Sequence, residues 1–369
     1  MNLAIIGSRG YPYIYSGYET FIKELSERLV KKNIKVTVYC HKSLFVDRPT
    51  KLNNIDLVYI PTIETKSLSQ IIHSFFSIIH CCFKKPDAIL VVNAANGPLG
   101  IIPKVFGIPT LINVDGLEWL RPKWKGLGSV YFKFAAKMAT IFFDTIINDS
   151  EEMQKVYLKL FNKESKVIAY GAPKININQN SSLINNYGIV KNEYYLVIGR
   201  LIPDNNADLI IDGFLNSDSK KKLVIVGDVP YNDKYASKIK SLKYPNIVLC
   251  GYVRDSKILY QLYKNSYAYL HGHEFGGTNP TMINALYFGT AILALDTPFN
   301  REMLQNGEFG LLFQKNSDSI KNLIIYSEKN LDKIKLLRKK SPKGITKKYN
   351  WDYITNQYIF EFKSLISKK

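Results

Sequence analysis

The residues best suited to bind a ligand form a polar, glycine-rich segment, residues 271–279, between two apolar stretches. This order predicts a strand, a tight loop and a helix that has Thr278 or Asn279 as its N-cap and Pro280 as its first residue. Such a loop directs several backbone N–H groups toward the positive end of the new helix, where an anion such as a phosphate binds favourably. The segment therefore indicates a phosphate site. The plain alternative is a connection whose polar residues only cap the helix.

Three side chains stand at the start of this loop, within reach of whatever the phosphate carries: His271, His273 and Glu274. We expect the loop to hold the diphosphate of a nucleotide sugar. A metal site at the two histidines is disfavoured, because no third ligand is spaced to join them. We therefore expect no metal or other cofactor, and a role for the histidines in substrate binding or packing.

Short apolar runs alternate along the chain with segments of helical periodicity, which is the pattern of βαβ units in a parallel sheet. The predicted strands are residues 3–6, 36–40, 55–60, 88–92, 110–114, 145–148, 166–170, 194–198, 222–226, 247–249, 266–270, 291–295 and 310–313. The predicted helices are residues 21–30, 68–83, 130–143, 151–161, 206–215, 231–242 and 255–264, one from residue 280, one from residue 317, and residues 351–366.

The pattern restarts after an asparagine-rich segment, residues 174–186, which is typical of a linker. We therefore predict an α/β protein of two Rossmann-like domains that face a cleft, over residues 1–175 and 187–350. The tail, about residues 351–369, has aromatic residues at helical spacing and predicts a helix that packs back on the N-terminal domain.

In open α/β sheets, ligands bind at the carboxyl ends of the strands. Glycines of both halves fall at those ends: Gly10, Gly17, Gly199, Gly227, Gly251, Gly276 and Gly277. The first glycine loop does not follow G-x-G-x-x-G, and Cys40 stands where an acidic residue would end the second strand. An NAD enzyme is therefore disfavoured, whereas some other phosphate ligand is favoured.

Composition restricts the class of partner. Lysine and arginine number 50 against 31 acidic residues, a net charge of +19, which favours a nucleic acid, an anionic membrane surface or a phosphorylated substrate. Nucleic acid is disfavoured, because the chain has no zinc-finger spacing, RNP-like motif or helix-turn-helix signature. The four cysteines lack metal or redox spacing and, with no signal-peptide pattern at the N-terminus, predict free thiols in a reducing cytoplasm.

Cations and large aromatic residues are interleaved over residues 119–125 and 131–134. That mixture suits an interface with anionic lipid; the alternative is a solvated basic loop followed by a core helix. The most apolar helical segment, residues 68–83, is short for a membrane span and contains polar residues. We expect a cytoplasmic protein that associates peripherally with the inner face of the cell membrane.

Five ordered motifs resemble those of bacterial family 4 glycosyltransferases, which have the GT-B fold, over nearly the whole chain. They are G-S-R-G at residues 7–10, G-Y-E-T-F at 17–21, N-V-D-G-L-E-W at 113–119, G-G-T-N-P at 276–280 and P-F-N-R-E at 298–302. More narrowly, they look like the rhamnosyltransferase branch. The resemblance implies transfer with retained anomeric configuration, no metal requirement and, often, a lipid-linked acceptor.

The resemblance also implies roles for single residues. Arg200 would meet the donor diphosphate as a bidentate cation, Glu274 would hold the sugar, and Asp115 would activate or orient the acceptor hydroxyl. The implied donor site comprises Gly17, Gly199, Gly251, Tyr252, Val253, His273, Gly276, Gly277, Thr278, Asn279 and Asn284, and the implied acceptor side comprises Tyr18, Glu19, Glu118 and Trp119. For Asp115 the alternative is a structural cap of the turn at Gly116, but its place in a loop favours function.

Two departures from the family pattern concern the donor. The broad family usually has a glutamate where Asn284 stands, and it often has a lysine about five residues after the arginine, where residues 204–206 read D-N-N. No D-x-D motif is present to bring a divalent cation, so Arg200 is expected to be the main cation for the leaving group.

The implied function is transfer of a sugar, best L-rhamnose from dTDP-rhamnose, to a lipid-linked saccharide in the synthesis of a cell-surface polysaccharide such as a capsule. Two alternatives remain open. The same fold could use a UDP-hexose donor, or the chain could be a non-catalytic module that binds nucleotides or glycans, which Asn284 would permit.

Overall fold

The computed structural model describes residues 1–12, 17–63, 69–124, 126–173, 184–185, 187–229 and 232–368. The predicted linker, residues 174–186, lies almost wholly outside the described residues. The chain divides into two compact units, Met1–Gly171 with Lys348–Lys369 and Ala172–Lys347.

The strands and helices alternate through both units. The strands are β1 Asn2–Ile6, β2 Lys35–His41, β3 Lys51–Leu52, β4 Ile55–Ile60, β5 Ala88–Val92, β6 Thr110–Val114, β7 Thr145–Asn148, β8 Lys166–Val167, β9 Tyr194–Ile198, β10 Lys222–Val226, β11 Ile247–Gly251, β12 Ala268–His271, β13 Ile292–Leu295 and β14 Leu311–Phe313. The α-helices are α1 Gly17–Lys31, α2 Ser69–Lys84, α3 Ile101–Val105, α4 Leu127–Phe142, α5 Glu151–Phe161, α6 Ala207–Asn216, α7 Lys234–Lys240, α8 Ser256–Asn265, α9 Pro280–Tyr287, α10 Pro298–Met303, α11 Ser317–Lys329, α12 Leu331–Lys340 and α13 Trp351–Ile366.

The first unit is built on a sheet with the strand order β3-β4-β2-β1-β5-β6-β7-β8. Its strands run parallel except at the β3–β4 pair. Every residue of β5 and β6 is buried, as expected for central parallel strands covered on both faces. The order reverses between β1 and β5, so the loops after these two strands flank the switch point where ligands of such sheets bind.

The C-terminal helix α13 packs on the first unit, as predicted. Its buried residues Trp351, Tyr358 and Phe362 lie on one face. The ring of Phe21 in α1 lies 5.4 Å from the ring of Tyr358 and 6.4 Å from that of Trp351. A Cβ atom at Gly171 would lie 2.5 Å from the Trp351 indole, so this glycine permits the close approach of the helix.

The second unit has a parallel sheet with the strand order β11-β10-β9-β12-β13-β14. Its core contains Ile210 and Phe214 of α6 and Ile320 of α11, packed with Tyr195 of β9. A Cβ atom at Gly213 would lie 2.6 Å from Cβ of Ile320, which explains how α6 and α11 approach closely. The order reverses between β9 and β12, so the loops after these two strands flank the second switch point.

Several predicted boundaries were wrong. The strand predicted over residues 166–170 keeps only Lys166–Val167, because the chain then leaves the sheet and the Tyr170 hydroxyl donates to Asn113 instead. The helix predicted over residues 231–242 is Lys234–Lys240, because Asp233 caps it through Oδ1; Tyr231 lies outside the described residues. Helices α3, α10 and α12 were missed, since two are short and the third is mostly polar.

Candidate functional site

Three glycines mark the carboxyl ends of neighbouring strands in the second unit. A Cβ atom at Gly227, after β10, would lie 1.8 Å from the carbonyl oxygen of Gly199, after β9, and the φ of Gly227 is +144°. The N–H of Gly227 donates to the carbonyl of Gly251, at the end of β11, over 2.8 Å. A Cβ atom at Gly199 would in turn lie 2.8 Å from the His273 imidazole. The glycines therefore let the loops at the switch point approach one another closely.

Arg200 directly follows Gly199 and is exposed. Its carbonyl accepts a 2.8 Å hydrogen bond from Nδ2 of the buried Asn205, which fixes the backbone at this point. Asn206 adopts a left-handed conformation with φ +53° and donates from Nδ2 to the carbonyl of Gly272 over 2.8 Å. The loop after β9 is thus tied to the loop after β12, and the Arg200 guanidinium projects from a fixed backbone.

Helix α9 begins as predicted. Asn279 is its N-cap and accepts hydrogen bonds from the N–H and Oγ1 of Thr281, over 3.0 and 2.7 Å, with Pro280 as the first helical residue. Gly276 has a φ of +132°, which turns the chain sharply, and the next two residues, Gly277 and Thr278, are buried. The backbone of the loop therefore leads directly into the N-terminus of α9, which is the positive end of the helix dipole.

His271 is a packing residue rather than a surface ligand. It is fully buried, its Nδ1 lies 2.9 Å from the Tyr269 hydroxyl, and its ring stacks on His273 with centroids 4.4 Å apart. Burial lowers the pKa of His271 to about 3, so the ring is neutral at physiological pH. Tyr269 also donates to Oγ1 of Thr281 over 2.8 Å, so the strand, the loop and the cap of α9 form one hydrogen-bonded unit.

Glu274 is held by a cation that sequence analysis missed. Nζ of Lys315 lies 2.6 Å from Oε2 of Glu274, and the Glu274 N–H donates to the carbonyl of Asp204 over 3.1 Å. Lys315 follows β14, forty-one residues along the chain, and no local motif marks it. Only the parallel pairing of β12, β13 and β14 brings the two side chains together.

The remaining donor residues of the second unit occupy two places. Gly251 has a φ of +63° with open space around its Cβ position, Tyr252 is 53% exposed, and Val253 is half-buried. Asn284 is half-buried on α9, and its side chain lies beside the buried Tyr263 phenol. The segment after β11 is therefore largely open to solvent, whereas Asn284 of α9 packs against Tyr263 of α8.

In the first unit, the half-buried Asp115 is the centre of a polar network. Oδ1 accepts a hydrogen bond of 2.5 Å from Tyr18, and Oδ2 accepts one of 3.1 Å from Tyr170. Tyr170 also donates to Asn113, whose Nδ2 donates to the Tyr358 hydroxyl over 2.8 Å. The pKa of the Asp115 carboxyl is raised, chiefly by desolvation, although the hydrogen bonds from Tyr18 and Tyr170 oppose the rise.

Two acidic residues of the first unit support loops. Glu19, in the first turn of α1, is buried and accepts a 3.1 Å hydrogen bond from the N–H of Arg9 in the glycine loop after β1. Glu118 pairs with Arg121 over 2.8 Å and accepts a 3.0 Å hydrogen bond from Nε1 of Trp124. Both carboxylates therefore shape the loops beside Gly17 and Asp115.

Two aromatic residues of the basic segment, Trp119 and Phe132, are buried and do not face the lipid as expected from sequence. Trp119 is 9% exposed, and its indole contacts the rings of Tyr157 and Phe161 edge-on. Phe132 is also buried and packs against Trp124 with centroids 4.7 Å apart. For Trp119 and Phe132 a lipid-facing position was therefore wrong, whereas Phe134 of the same segment is 51% exposed and membrane association stays a prediction.

The predicted residues thus fall into two groups, one in each unit. Gly17, Tyr18, Glu19, Asp115, Glu118 and Trp119 lie in the first unit, and the residues from Gly199 to Asn284 lie in the second. Within the described part of the chain, no group of three or more His, Cys, Asp or Glu residues is placed to hold a metal ion. Over the same residues, no helix has both the length and the apolar character to cross a membrane.

Two families of known proteins match the chain, one in each half. Residues 181–343 match the family described as glycosyl transferases group 1. Residues 1–86 and 99–173 match the family described as a domain of unknown function (DUF1972). No curated protein sequence is significantly similar to the chain.

Solved structures share its fold over essentially the full length. HepE from Anabaena, in complex with UDP, is 16% identical over 99% of this chain and 100% of its own, with a TM-score of 0.78. Sucrose-phosphate synthase from Thermosynechococcus elongatus is 15% identical over 100% of both chains, with a TM-score of 0.83. The catalytic domain of starch synthase IV from Arabidopsis thaliana, bound to ADP and acarbose, is 13% identical over 99% of both chains, with a TM-score of 0.71.

These comparisons favour an enzyme over the non-catalytic module considered above. The family match covers the unit that contains Arg200 and the loop at residues 271–279. The structural likeness extends the fold to the whole chain. The second unit therefore contains a group 1 glycosyl transferase domain, and the chain as a whole has the GT-B fold.

Proposed function

We propose that the protein transfers a sugar from a nucleoside-diphosphate donor to an acceptor hydroxyl, with retention of anomeric configuration and without a metal ion. The second unit binds the donor, and the first unit presents the acceptor near Asp115. One observation carries the proposal: the exposed Arg200 and the N-terminus of α9 stand on the two loops that flank the switch point of the second sheet. A guanidinium and a helix N-terminus are both suited to a diphosphate.

The mechanism follows from the charge that develops on the leaving group. Negative charge builds up on the diphosphate as the sugar departs, and preorganised donors stabilise it. Arg200 supplies a fixed positive charge, and the loop at Gly276 and Gly277 supplies the positive end of α9. Each such donor contributes on the order of 3 kcal/mol to the transition state.

Arg200→Ala tests this assignment. We expect turnover to fall by about a hundredfold or more, while the thermal unfolding midpoint stays unchanged, because the side chain is exposed. Arg200→Lys keeps the charge but loses the bidentate geometry, so an intermediate rate is expected. Lys220→Ala, which removes an exposed cation elsewhere in the second unit, serves as the control. Near-normal turnover in folded Arg200→Ala would remove this residue from the mechanism.

The donor we propose is dTDP-L-rhamnose, on the strength of the motifs at residues 7–10, 113–119 and 276–280. A second candidate is a UDP-hexose, because HepE was solved in complex with UDP-glucose. A thermal-shift series with dTDP-rhamnose, UDP-glucose and UDP-galactose separates the two. A ligand that binds the folded state raises its stability with the logarithm of its concentration over Kd, so the true donor gives the largest shift, and a radiolabelled transfer assay then identifies the product.

The acceptor we propose is a lipid-linked saccharide at the cytoplasmic face of the cell membrane, in the assembly of a surface polysaccharide such as a capsule. Asp115 would orient the attacking hydroxyl, and its two phenol partners would hold the carboxylate in place. The excess of 50 basic over 31 acidic residues supports a position beside an anionic surface.

A further inference from the structure

Helices α2, α3 and α4 of the first unit expose large apolar side chains toward solvent. On α4, Leu127 is 88% exposed and Val130 is 66% exposed. They share one face of the helix with two further exposed apolar residues, Phe134 and Ile141. More exposed than Phe75, which is 39% exposed, are five apolar residues of α2, of α3 and of the turn after α3: Phe76, Phe83, Ile101, Val105 and Phe106. We call these nine residues the α2–α4 face.

Side-chain contacts join the three helices that carry this face. The rings of Phe83, at the end of α2, and Phe106, just after α3, meet edge-on with centroids 5.6 Å apart. Nζ of Lys104 in α3 donates a 2.9 Å hydrogen bond to the carbonyl of Ile141 near the end of α4. The three helices are therefore neighbours. A group of neighbouring apolar side chains exposed to water marks a binding surface, whereas single exposed apolar residues do not.

The helices that carry the α2–α4 face have charged residues of one sign only. Residues 69–84, 88–114 and 119–143 contain no aspartate or glutamate. The exposed lysines among the described residues of these helices and of the turn after α2 are Lys84, Lys85, Lys104, Lys133 and Lys137. Each described acid that flanks these segments has a partner: Asp87 accepts from the N–H of Asn2, Asp144 from the N–H of Thr110 and Asp115 from Tyr18, and Glu118 pairs with Arg121.

We propose that the α2–α4 face docks on an anionic lipid bilayer. Its apolar side chains enter the boundary between headgroups and acyl chains, and its lysines contact the lipid phosphates. This surface shares Lys133 and Phe134 with the segment predicted from sequence, but it excludes the buried Trp119. The inference deepens the proposed function and rests on it for the lipid-linked acceptor: the loop that carries Asp115 leads directly into α4 at Leu127, so an acceptor in the membrane would lie beside that loop.

A second copy of the chain fits this face less well than a bilayer. A two-fold interface would place the same surface on both sides, so the lysines of one copy would meet those of the other without intervening acids. Like charges brought together in this way oppose association. Lipid phosphates supply the opposite charge, and the acyl boundary supplies the apolar environment.

Vesicle flotation tests the proposal. The intact protein should float with vesicles of phosphatidylglycerol and phosphatidylcholine at low salt, and it should bind pure phosphatidylcholine at least about tenfold more weakly. The double variant Leu127→Ser and Val130→Ser should bind the anionic vesicles about tenfold more weakly than the unmodified protein. The matched control, Tyr326→Ser and Leu331→Ser, changes two residues of the second unit that are 45% and 52% exposed, and it should bind normally.

The charge component has its own matched pair. Lys133→Glu with Lys137→Glu and Lys329→Glu with Lys333→Glu change the net charge equally, but only the first pair lies on the proposed face. A loss confined to the first pair supports docking through this face. Equal losses from both pairs, or unchanged binding by the Leu127 and Val130 variant, would overturn it. A dimer in light scattering that this variant abolishes, without vesicle binding by the unmodified protein, would assign the face to self-association instead.

These measurements separate the docking surface from the enzymatic proposal. Vesicle binding needs no nucleotide sugar, so it can succeed if the donor assignment fails. Transfer to a water-soluble acceptor analogue should be unchanged in the Leu127 and Val130 variant, because neither residue belongs to the candidate site. Circular dichroism and the thermal midpoint verify that each variant is folded, and both altered side chains are largely exposed.

Discussion

The hydroxyl of Tyr18 donates a hydrogen bond of 2.5 Å to Oδ1 of Asp115, which joins the first turn of α1 to the loop after β6. A second phenol, Tyr170, donates to the other carboxyl oxygen. Burial raises the pKa of Asp115 and opposes the effect of both hydrogen bonds, which lower it. The pKa remains raised overall, so the two phenols offset only part of the desolvation of this half-buried carboxylate. In the proposed function, its charged form is the hydrogen-bond partner of the acceptor hydroxyl.

Tyr18→Phe should shift the acid limb of the pH–rate profile to higher pH. The change removes a donor that favours the carboxylate, so the pKa of Asp115 rises further and the active charged form is lost earlier as the pH falls. A hydrogen bond to a charged group corresponds to a shift of about one pH unit or more. The measurement is kcat/KM against pH for both proteins. Tyr326→Phe, on the exposed surface of α11, is the control. An unmoved limb would show that the Tyr18 phenol does not set the charge of the reacting form.

The local parts of this structure could be predicted from sequence because local chemistry determines them. Asn279 and Pro280 have the preferred types for an N-cap and a first helical position, and α9 begins there. Strands β5 and β6 were predicted with their observed bounds, because fully buried parallel strands are continuous apolar runs. The division into two α/β halves followed from the same alternation.

The partners of the site residues could not be predicted, because they come from distant parts of the chain. Tyr170 reaches Asp115 only because the chain leaves the sheet after Val167. Tyr358 joins the network from α13, 245 residues away from Asn113. Trp119 was placed at a lipid surface by its type, yet it is buried against Tyr157 and Phe161. Residue type indicates what a side chain can do, and tertiary packing decides where it does so.

The Glu274–Lys315 pair predicts an effect on donor affinity. Lys315→Ala leaves a carboxylate without its 2.6 Å partner beside the proposed diphosphate site, and like charges repel. We expect the donor KM to rise several-fold with little change in kcat. Steady-state kinetics over a range of donor concentrations gives both constants.

The control for this pair is Lys335→Ala, because Lys335 lies 3.2 Å from Asp332 on the exposed side of α12 and away from the loop. A double variant of Glu274→Gln and Lys315→Ala should recover part of the donor affinity, since the repelling charge is removed. If Lys315→Ala alone leaves the donor KM unchanged, the pair has no electrostatic role toward the donor.

Gly227 and Gly251 provide a matched pair for the stability of the second unit. Gly227→Ala should lower the free energy of unfolding by more than about 3 kcal/mol, because the new Cβ would lie 1.8 Å from the Gly199 carbonyl oxygen and the φ of +144° is strained for alanine. Gly251→Ala should cost only about 1 kcal/mol, the penalty of a left-handed backbone, because its Cβ position is open at φ +63°. Urea denaturation measures both. Similar losses for the two variants would contradict the close contact of β9 and β10 at their carboxyl ends.

The buried His73 predicts a loss of stability in acid. Its ring stacks on His41 with centroids 3.9 Å apart, and burial lowers its pKa from 6.5 to about 3. Below pH 6.5 the unfolded chain therefore binds a proton that the folded chain excludes. Above that pH the ring does not affect the free energy of unfolding, and below it the free energy of unfolding falls by up to about 1.4 kcal/mol per pH unit as the pH decreases toward 3.

His73→Gln removes the titrating group, so the denaturation midpoint of this variant should fall less steeply between about pH 6.5 and about pH 5 than that of the unmodified protein. Above pH 7 the two curves should run parallel, because neither state of either protein takes up a proton at this position. Equal slopes below pH 6.5 would mean that His73 is protonated in the folded state, and its stacking on His41 would then need another explanation.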